Sequence, residues 1–208
     1  MCMTITARCE DIEYDLTDKN NRESIAGEIN SMLFVPQREN KAGPEIKHGT
    51  NKLYVVGENI EYVLLQNGFC ISVKDNAVSI CNAFLVAVAR DYYCGKCQFI
   101  VEKVNSAEIE DSAIATEIGN YLKISVSTVM RGDTGSAENK PMCSLSLAEN
   151  VDNNQFIDTV SFEGNLLQVN VKCEYSVDSL NEVNLSRDEE RINARINNIV
   201  KYMSGENN

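Results

Sequence analysis

The chain has 208 residues, of which 43% are hydrophobic and 24% charged, so it has a globular composition and can bury a core without disulfide staples. Thirty-one acidic against nineteen basic residues give a net charge of −12, which opposes non-specific binding to nucleic acid and anionic lipid. No secretory signal pattern and no membrane-length apolar run is visible, so we expect a cytoplasmic protein without a membrane anchor. We expect one domain, residues 1–208, with a frayed tail at 205–208.

The N-terminal segment predicts a half-buried strand. Between residues 11 and 16, acidic and apolar side chains alternate, and a period of two places them on opposite faces of a strand. The acidic face is a candidate surface for binding a protein partner. Its members are Asp11, Glu13 and Asp15.

A helix is predicted next, near residues 21–34, because Ile25, Ile29 and Leu33 recur at the spacing of one helix face. The charged, glycine-containing stretch 37–51 is expected to be a loop. Short β-branched and aromatic runs at 53–56, 60–65 and 69–73 then alternate with turn-forming residues, which predicts an antiparallel meander.

Residues 77–90 permit two predictions. Large residues lie mostly at even positions and small ones mostly at odd positions, which favours a long buried strand after a hairpin at Asp75-Asn76. The alanines of the same stretch favour a helix, which Asp75 or Asn76 would cap. We prefer the strand.

The C-terminal part predicts a polar loop near 131–141, strands at 143–147, 156–162 and 166–175, and an amphipathic helix over 187–203. Ser186 and Glu189 match the capping-box spacing at the start of this helix. Three arginines recur every four residues along one flank, and they either bind an acidic partner or a phosphate, or pair within the molecule. They are Arg187, Arg191 and Arg195.

Eight cysteines in a chain without a secretory signal are expected to be reduced, most of them in the core. Cys94 and Cys97 form a Cys-x-x-Cys motif, which is typical of half a zinc site or of a dithiol redox pair. His48 is the only histidine, so a zinc site would need isolated cysteines as its other ligands. Because the apolar run 98–101 predicts a strand, we expect a turn with structural thiols, with zinc at Cys94 and Cys97 as the alternative.

Catalytic chemistry is not expected. His48 lies in a charged stretch without a nucleophile motif beside it, and no phosphate-binding glycine loop occurs. The tripeptide Arg131-Gly132-Asp133 is interpreted as a turn.

These patterns predict an α+β fold. It consists of an antiparallel, hairpin-rich sheet or sandwich, covered by a helix near the N-terminus and by a C-terminal amphipathic helix. The function expected is a non-enzymatic macromolecule-binding protein, such as an inhibitor, an immunity protein or an anti-defence factor. Its acidic surface would bind a protein with a basic surface rather than nucleic acid. The alternatives are a homo-oligomeric structural or chaperone-like protein, and a metal or redox protein centred on Cys94 and Cys97.

Overall fold

The computed structural model describes residues 2–12, 15–33, 45–57, 59–74, 78–108, 142–163 and 166–204. Within these ranges the chain forms an α+β fold with a large antiparallel sheet and a C-terminal helix, as predicted. The strands are β1 Cys2–Ile12, β2 Glu45–His48, β3 Lys52–Val56, β4 Ile60–Leu65, β5 Gly68–Lys74, β6 Tyr93–Glu108, β7 Met142–Val151, β8 Asn154–Glu163 and β9 Leu166–Val177. The helices are α1 Lys19–Leu33, α2 Val78–Phe84, α3 Arg90–Tyr92 and α4 Leu185–Met203, with a π-helical segment at Leu85–Ala89 and a 3-10 turn at Leu180–Glu182.

The nine described strands belong to one sheet, in the order β2-β3-β4-β5-β1-β6-β9-β8-β7. The chain divides into two compact units. Unit 1 consists of Met1–Glu102 and Cys173–Glu189, and unit 2 consists of Lys103–Lys172 and Glu190–Asn208. None of the helices in the described ranges is long and apolar enough to cross a membrane.

In unit 1, the predicted meander is present as β3, β4 and β5, which pair antiparallel in chain order. Gly68 opens β5, and a Cβ atom there would lie 1.9 Å from the carbonyl oxygen of Ala7 on β1. Glycine is therefore required where β1 and β5 approach each other.

The predicted loop 37–51 is wrong at residues 45–48, which form β2 and pair with β3. The neighbouring strand supplies hydrogen-bond partners that a charged sequence alone does not reveal. The predicted loop near 131–141, the Arg131-Gly132-Asp133 turn and the tail 205–208 lie outside the described residues.

The preferred strand over residues 77–90 is wrong, since α2, the π-helical segment and α3 cover residues 78–92. The hairpin turn expected at residues 75–76 lies outside the described residues. Buried Cys81, Leu85 and Ala89 recur every four residues, which places them on one helix face. Val86 is 59% exposed, although the alternation in size puts it on the same strand face as buried Phe84.

An aromatic cluster occupies the core of unit 1. The ring of Phe84 stacks on that of Tyr62 at 4.6 Å between centroids and meets the edge of Phe69 at 5.4 Å. Phe69 in turn lies 5.4 Å from Tyr93, whose hydroxyl donates to the carbonyl oxygen of Leu65 at 2.8 Å. The short α2 helix is thus held by side-chain burial more than by its own length.

Buried thiols and phenols make the fold sensitive to alkaline pH. Burial raises the pKa of Cys81 from its ordinary value of 9.0 to about 12, and burial also raises the pKa of Tyr62. In the unfolded chain these groups lose their protons first. The free energy of unfolding should therefore fall above about pH 9 because of Cys81 and above about pH 10 because of Tyr62, by up to about 1.4 kcal/mol per pH unit for each group.

Urea unfolding at several pH values between about 8 and 10 tests this expectation. Replacing Cys81 by alanine should make the decline with pH shallower. A midpoint that stays constant from about pH 8 to pH 10 would contradict the prediction.

In unit 2, β7 and β8 form a hairpin whose turn residues, Asp152 and Asn153, have φ angles of 50° and 64°. Two successive residues in this left-handed region are typical of a type I′ turn. The predicted strands at 143–147, 156–162 and 166–175 are confirmed and extend by one to four residues at their ends.

The predicted C-terminal helix is confirmed as α4, although its start differs. Asn184, not Ser186, caps it, because the Asn184 side-chain oxygen accepts a hydrogen bond from the amide of Arg187 at 3.1 Å. In the part of α4 that belongs to unit 2, the apolar face is buried. Its members are Ile192, Ile196, Ile199 and Met203.

Candidate functional site

Two arginines of the predicted stripe are held by carboxylates of unit 2. The Arg195 guanidinium binds both carboxylate oxygens of Asp158, with its shortest contact at 2.7 Å, and lies 2.9 Å from Glu149. It also lies over the Phe156 ring, 4.8 Å from the centroid. Asp158 is only 5% exposed, so contact with Arg195 replaces much of the water that would otherwise solvate its charge.

Arg191 makes a similar but more exposed pair, 3.0 Å from Asp152 in the β7–β8 turn. Arg191 and Arg195 therefore follow the second alternative, in which the arginines pair within the molecule, and their partners also belong to unit 2. The side chain of Arg187 is exposed. The stripe as a whole is not a free basic surface.

The predicted acidic strand face is wrong at its C-terminal end, because β1 stops at Ile12 and Asp15 lies in a turn. Both oxygens of the Asp15 carboxylate accept from Thr17, one from the amide and one from the hydroxyl, each at 2.8 Å. This local hydrogen bonding competes with strand pairing. Asp11 belongs to β1, but the structure does not describe its side chain. Glu13 lies outside the described residues.

Three exposed carboxylates lie on this turn and on the first turns of α1, and we name them the acidic turn: Asp15, Asp18 and Glu23. The Asp18 carboxylate accepts from the amide of Asn20 at 2.8 Å, next to the helix start. Glu23 lies 3.3 Å from the ammonium group of Lys19, but both side chains are more than half exposed, so this ion pair contributes little.

A buried arginine holds the acidic turn in place. One guanidinium nitrogen of Arg22 donates to the carbonyl oxygens of Leu16, Thr17 and Thr50, and Arg22 is 9% exposed. The hydrogen bonds from Thr17 keep the pKa of Asp15 below its ordinary value, so this carboxylate is ionised at neutral pH. The backbone of the turn is therefore fixed, while its charges face the solvent.

The turn predicted at Cys94 and Cys97 is wrong, because both residues belong to β6. Gly95 between them has φ +74°, a left-handed conformation that favours glycine. Cys94 is exposed and Cys97 is buried. In the described part of the chain, no three His, Cys, Asp or Glu side chains are placed to hold a metal ion.

The neighbour of Cys97 is Cys9 on β1, a pair that the sequence reasoning missed. Burial is the main reason why the pKa of each thiol is raised, and each thiol also influences the pKa of the other. The alternation along each strand was the available signal in the sequence. Cys9 continues the buried series of Ile5 and Ala7, and Cys97 begins the buried series that Phe99 and Val101 continue.

One end of the described sheet has the character of an open edge. Strand β7 is ten residues long, its side chains from Ser144 to Asn150 are exposed or half-exposed, and its only charged residue is Glu149. The opposite end, β2, has four residues and carries Glu45, Lys47 and an exposed His48. Short, charged edges discourage pairing with another strand, whereas long uncharged edges permit it.

No protein-family model and no curated protein matches this sequence. The assignment of function therefore rests on the residues and geometry of this chain.

Proposed function

We propose that this chain is a non-enzymatic protein-binding protein of the inhibitor, immunity or anti-defence type. It acts in the cytoplasm and binds a partner with a basic surface. The observation that carries the proposal is the acidic turn, where three exposed carboxylates lie on a backbone held by Arg22 and by hydrogen bonds from Thr17. A surface ordered before binding loses little conformational entropy when a partner docks.

The charge distribution supports the same proposal. Acidic side chains outnumber basic ones within unit 1, which contains the acidic turn. A negative surface attracts a basic protein over several ångströms and raises the rate of association, and salt weakens the effect.

The test uses an oligolysine peptide as a defined basic probe. The triple variant Asp15→Asn, Asp18→Asn and Glu23→Gln removes three charges. It keeps the side-chain oxygen at residue 18 that accepts from the amide of Asn20, and one of the two oxygens at residue 15 that accept from Thr17. We expect about tenfold weaker binding at low salt, since each exposed charge contributes about 0.5 kcal/mol.

A matched control removes three exposed carboxylates elsewhere in unit 1 through Glu61→Gln, Asp91→Asn and Glu182→Gln. Both variants have the same net charge, so any difference between them reports the position of the charges. The control should weaken binding by less than about threefold. Equal losses in the two variants would contradict a defined acidic binding site and leave only the net charge.

The open edge of β7 favours a second candidate function, a homo-oligomer built by strand pairing. If two copies paired antiparallel along residues 142–148 of β7, no like charges would face each other, because this segment contains no charged residue. Sedimentation velocity should then show a dimer, and Leu147→Lys on the edge should dissociate it. Leu166→Lys is the matched control, because Leu166 is 41% exposed on β9 and Leu147 is 45% exposed. A monomer at the highest soluble concentration would exclude this function.

A further inference from the structure

Residues 9 and 10 of β1 lie beside residues 95–97 of β6, all within unit 1. Cys9 and Cys97 are both buried, and each thiol influences the pKa of the other. The amide of Lys96 donates to the Glu10 carboxylate at 3.3 Å, and a Cβ atom at Gly95 would lie 3.3 Å from the Cβ of Glu10. The two strands are also neighbours in the sheet order.

This placement is compatible with a disulfide between Cys9 and Cys97. Residues that face each other on neighbouring antiparallel strands have Cα atoms about 4.5–5.5 Å apart, which falls within the range found in disulfides. Cys9 and Cys97 are buried, whereas their chain neighbours Glu10 and Lys96 are exposed, so the two thiols lie on the same face of the sheet. Cys94 is exposed, although it lies near enough to Cys9 and Cys97 to affect both electrostatically.

We propose that Cys9 and Cys97 are a redox-responsive pair that closes to a reversible disulfide under oxidation by a peroxide or a small disulfide. Two S–H bonds break and one S–S bond forms. Hydrogen peroxide takes up the two electrons and two protons as its O–O bond breaks and becomes two molecules of water, and an organic hydroperoxide becomes one water and one alcohol. A small disulfide takes them up as its S–S bond breaks and leaves as two thiols. A thiol reductant reverses the step by exchange.

Burial determines how readily the disulfide forms. The thiolate is the reactive form, and burial disfavours it at both positions, so the pair stays reduced until the oxidant is strong or persistent. The disulfide would join β1 to β6 and close a long loop within the chain, which constrains the unfolded state. Oxidised protein should therefore unfold at a higher urea concentration than reduced protein.

Trypsin separates the three relevant cysteines, which makes the test direct. Cleavage after the basic residues places them on the peptides 9–19, 91–96 and 97–103. Native protein is treated with diamide, an azodicarboxamide that accepts two electrons and two protons from a thiol pair and becomes a hydrazine. Remaining thiols are then alkylated and the peptides mapped by mass spectrometry.

We expect the peptide 9–19 joined to 97–103 as the main product, lighter by two hydrogens and separated again by reductant. The same product should form in Cys94→Ser, which keeps the pair, and not in Cys9→Ser or Cys97→Ser. A main product joining 91–96 to 97–103 would overturn the proposal. So would a Cys9–Cys97 link no more abundant in native protein than in protein oxidised in urea. Since Cys94→Ser alters an exposed side chain, its result holds even where replacing a buried cysteine impairs folding.

Discussion

Replacement of Phe84 with alanine is expected to lower the free energy of unfolding by about 3–5 kcal/mol, the usual cost of deleting a large aromatic side chain from a core. Phe84 is fully buried on α2, stacked on Tyr62 and in contact with the edge of Phe69. The alanine variant leaves a cavity that these rings can fill only in part. Urea unfolding monitored by circular dichroism measures the loss.

Val86 provides the matched control, because it lies two residues along the chain and is 59% exposed. Its replacement by alanine should change the free energy of unfolding by no more than about 0.5 kcal/mol. In a strand the two side chains would share one face and suffer comparable losses. A large loss of unfolding free energy in both variants would therefore contradict the helix and support the strand predicted for residues 77–90.

Replacement of Arg195 with methionine is expected to cost about 3–5 kcal/mol, because it leaves the Asp158 carboxylate buried without its counter-charge. Methionine keeps much of the side-chain volume over the Phe156 ring, so the loss reports the ion pair more than packing. Urea unfolding again provides the measurement. The free energy of unfolding of Arg195→Lys should lie between those of the wild type and Arg195→Met, because an ammonium group keeps the charge but not the bidentate contact.

A double-mutant cycle separates the ion pair from other effects. Once Asp158 is replaced by leucine, Arg195→Met should cost much less, since no buried charge remains to be stranded. Strict additivity of the two substitutions would contradict the role assigned to the pair. The result also bears on function, because it decides whether Arg195 serves the fold or remains available to a partner.

Period-two patterns made much of the sheet predictable. Strand β4 and residues 166–173 of β9 alternate buried residues with exposed or half-buried ones, and the order of the residues in the sequence predicts that alternation. The C-terminal helix was predictable for the same kind of reason, because Ile192, Ile196 and Ile199 recur at helical spacing. Neither inference required knowledge of what the element packs against.

The errors occurred where one pattern fits two structures. The alternation of large and small residues over 77–90 fits a strand, yet the same residues place Cys81, Leu85 and Ala89 on one side of a helix. The alternation that ends at Asp15 fits a strand until the Thr17 hydrogen bonds and the burial of Leu16 turn the chain. Over residues 77–90 the outcome depends on what the helix face packs against, whereas at Asp15 it depends on local hydrogen bonds together with the burial of Leu16.

The sequence by itself determined the α+β class, most of the strands and the C-terminal helix, since hydrophobic periodicity is a local property that each segment carries. It also determined the negative charge on which the proposed binding function depends. Only the tertiary structure decided that Arg191 and Arg195 pair with carboxylates, that Cys9 lies on the strand next to Cys97, and that Arg22 joins the acidic turn to Thr50. These relations join residues far apart in the chain, and sequence spacing holds no information about such distances until the strands and helices are packed.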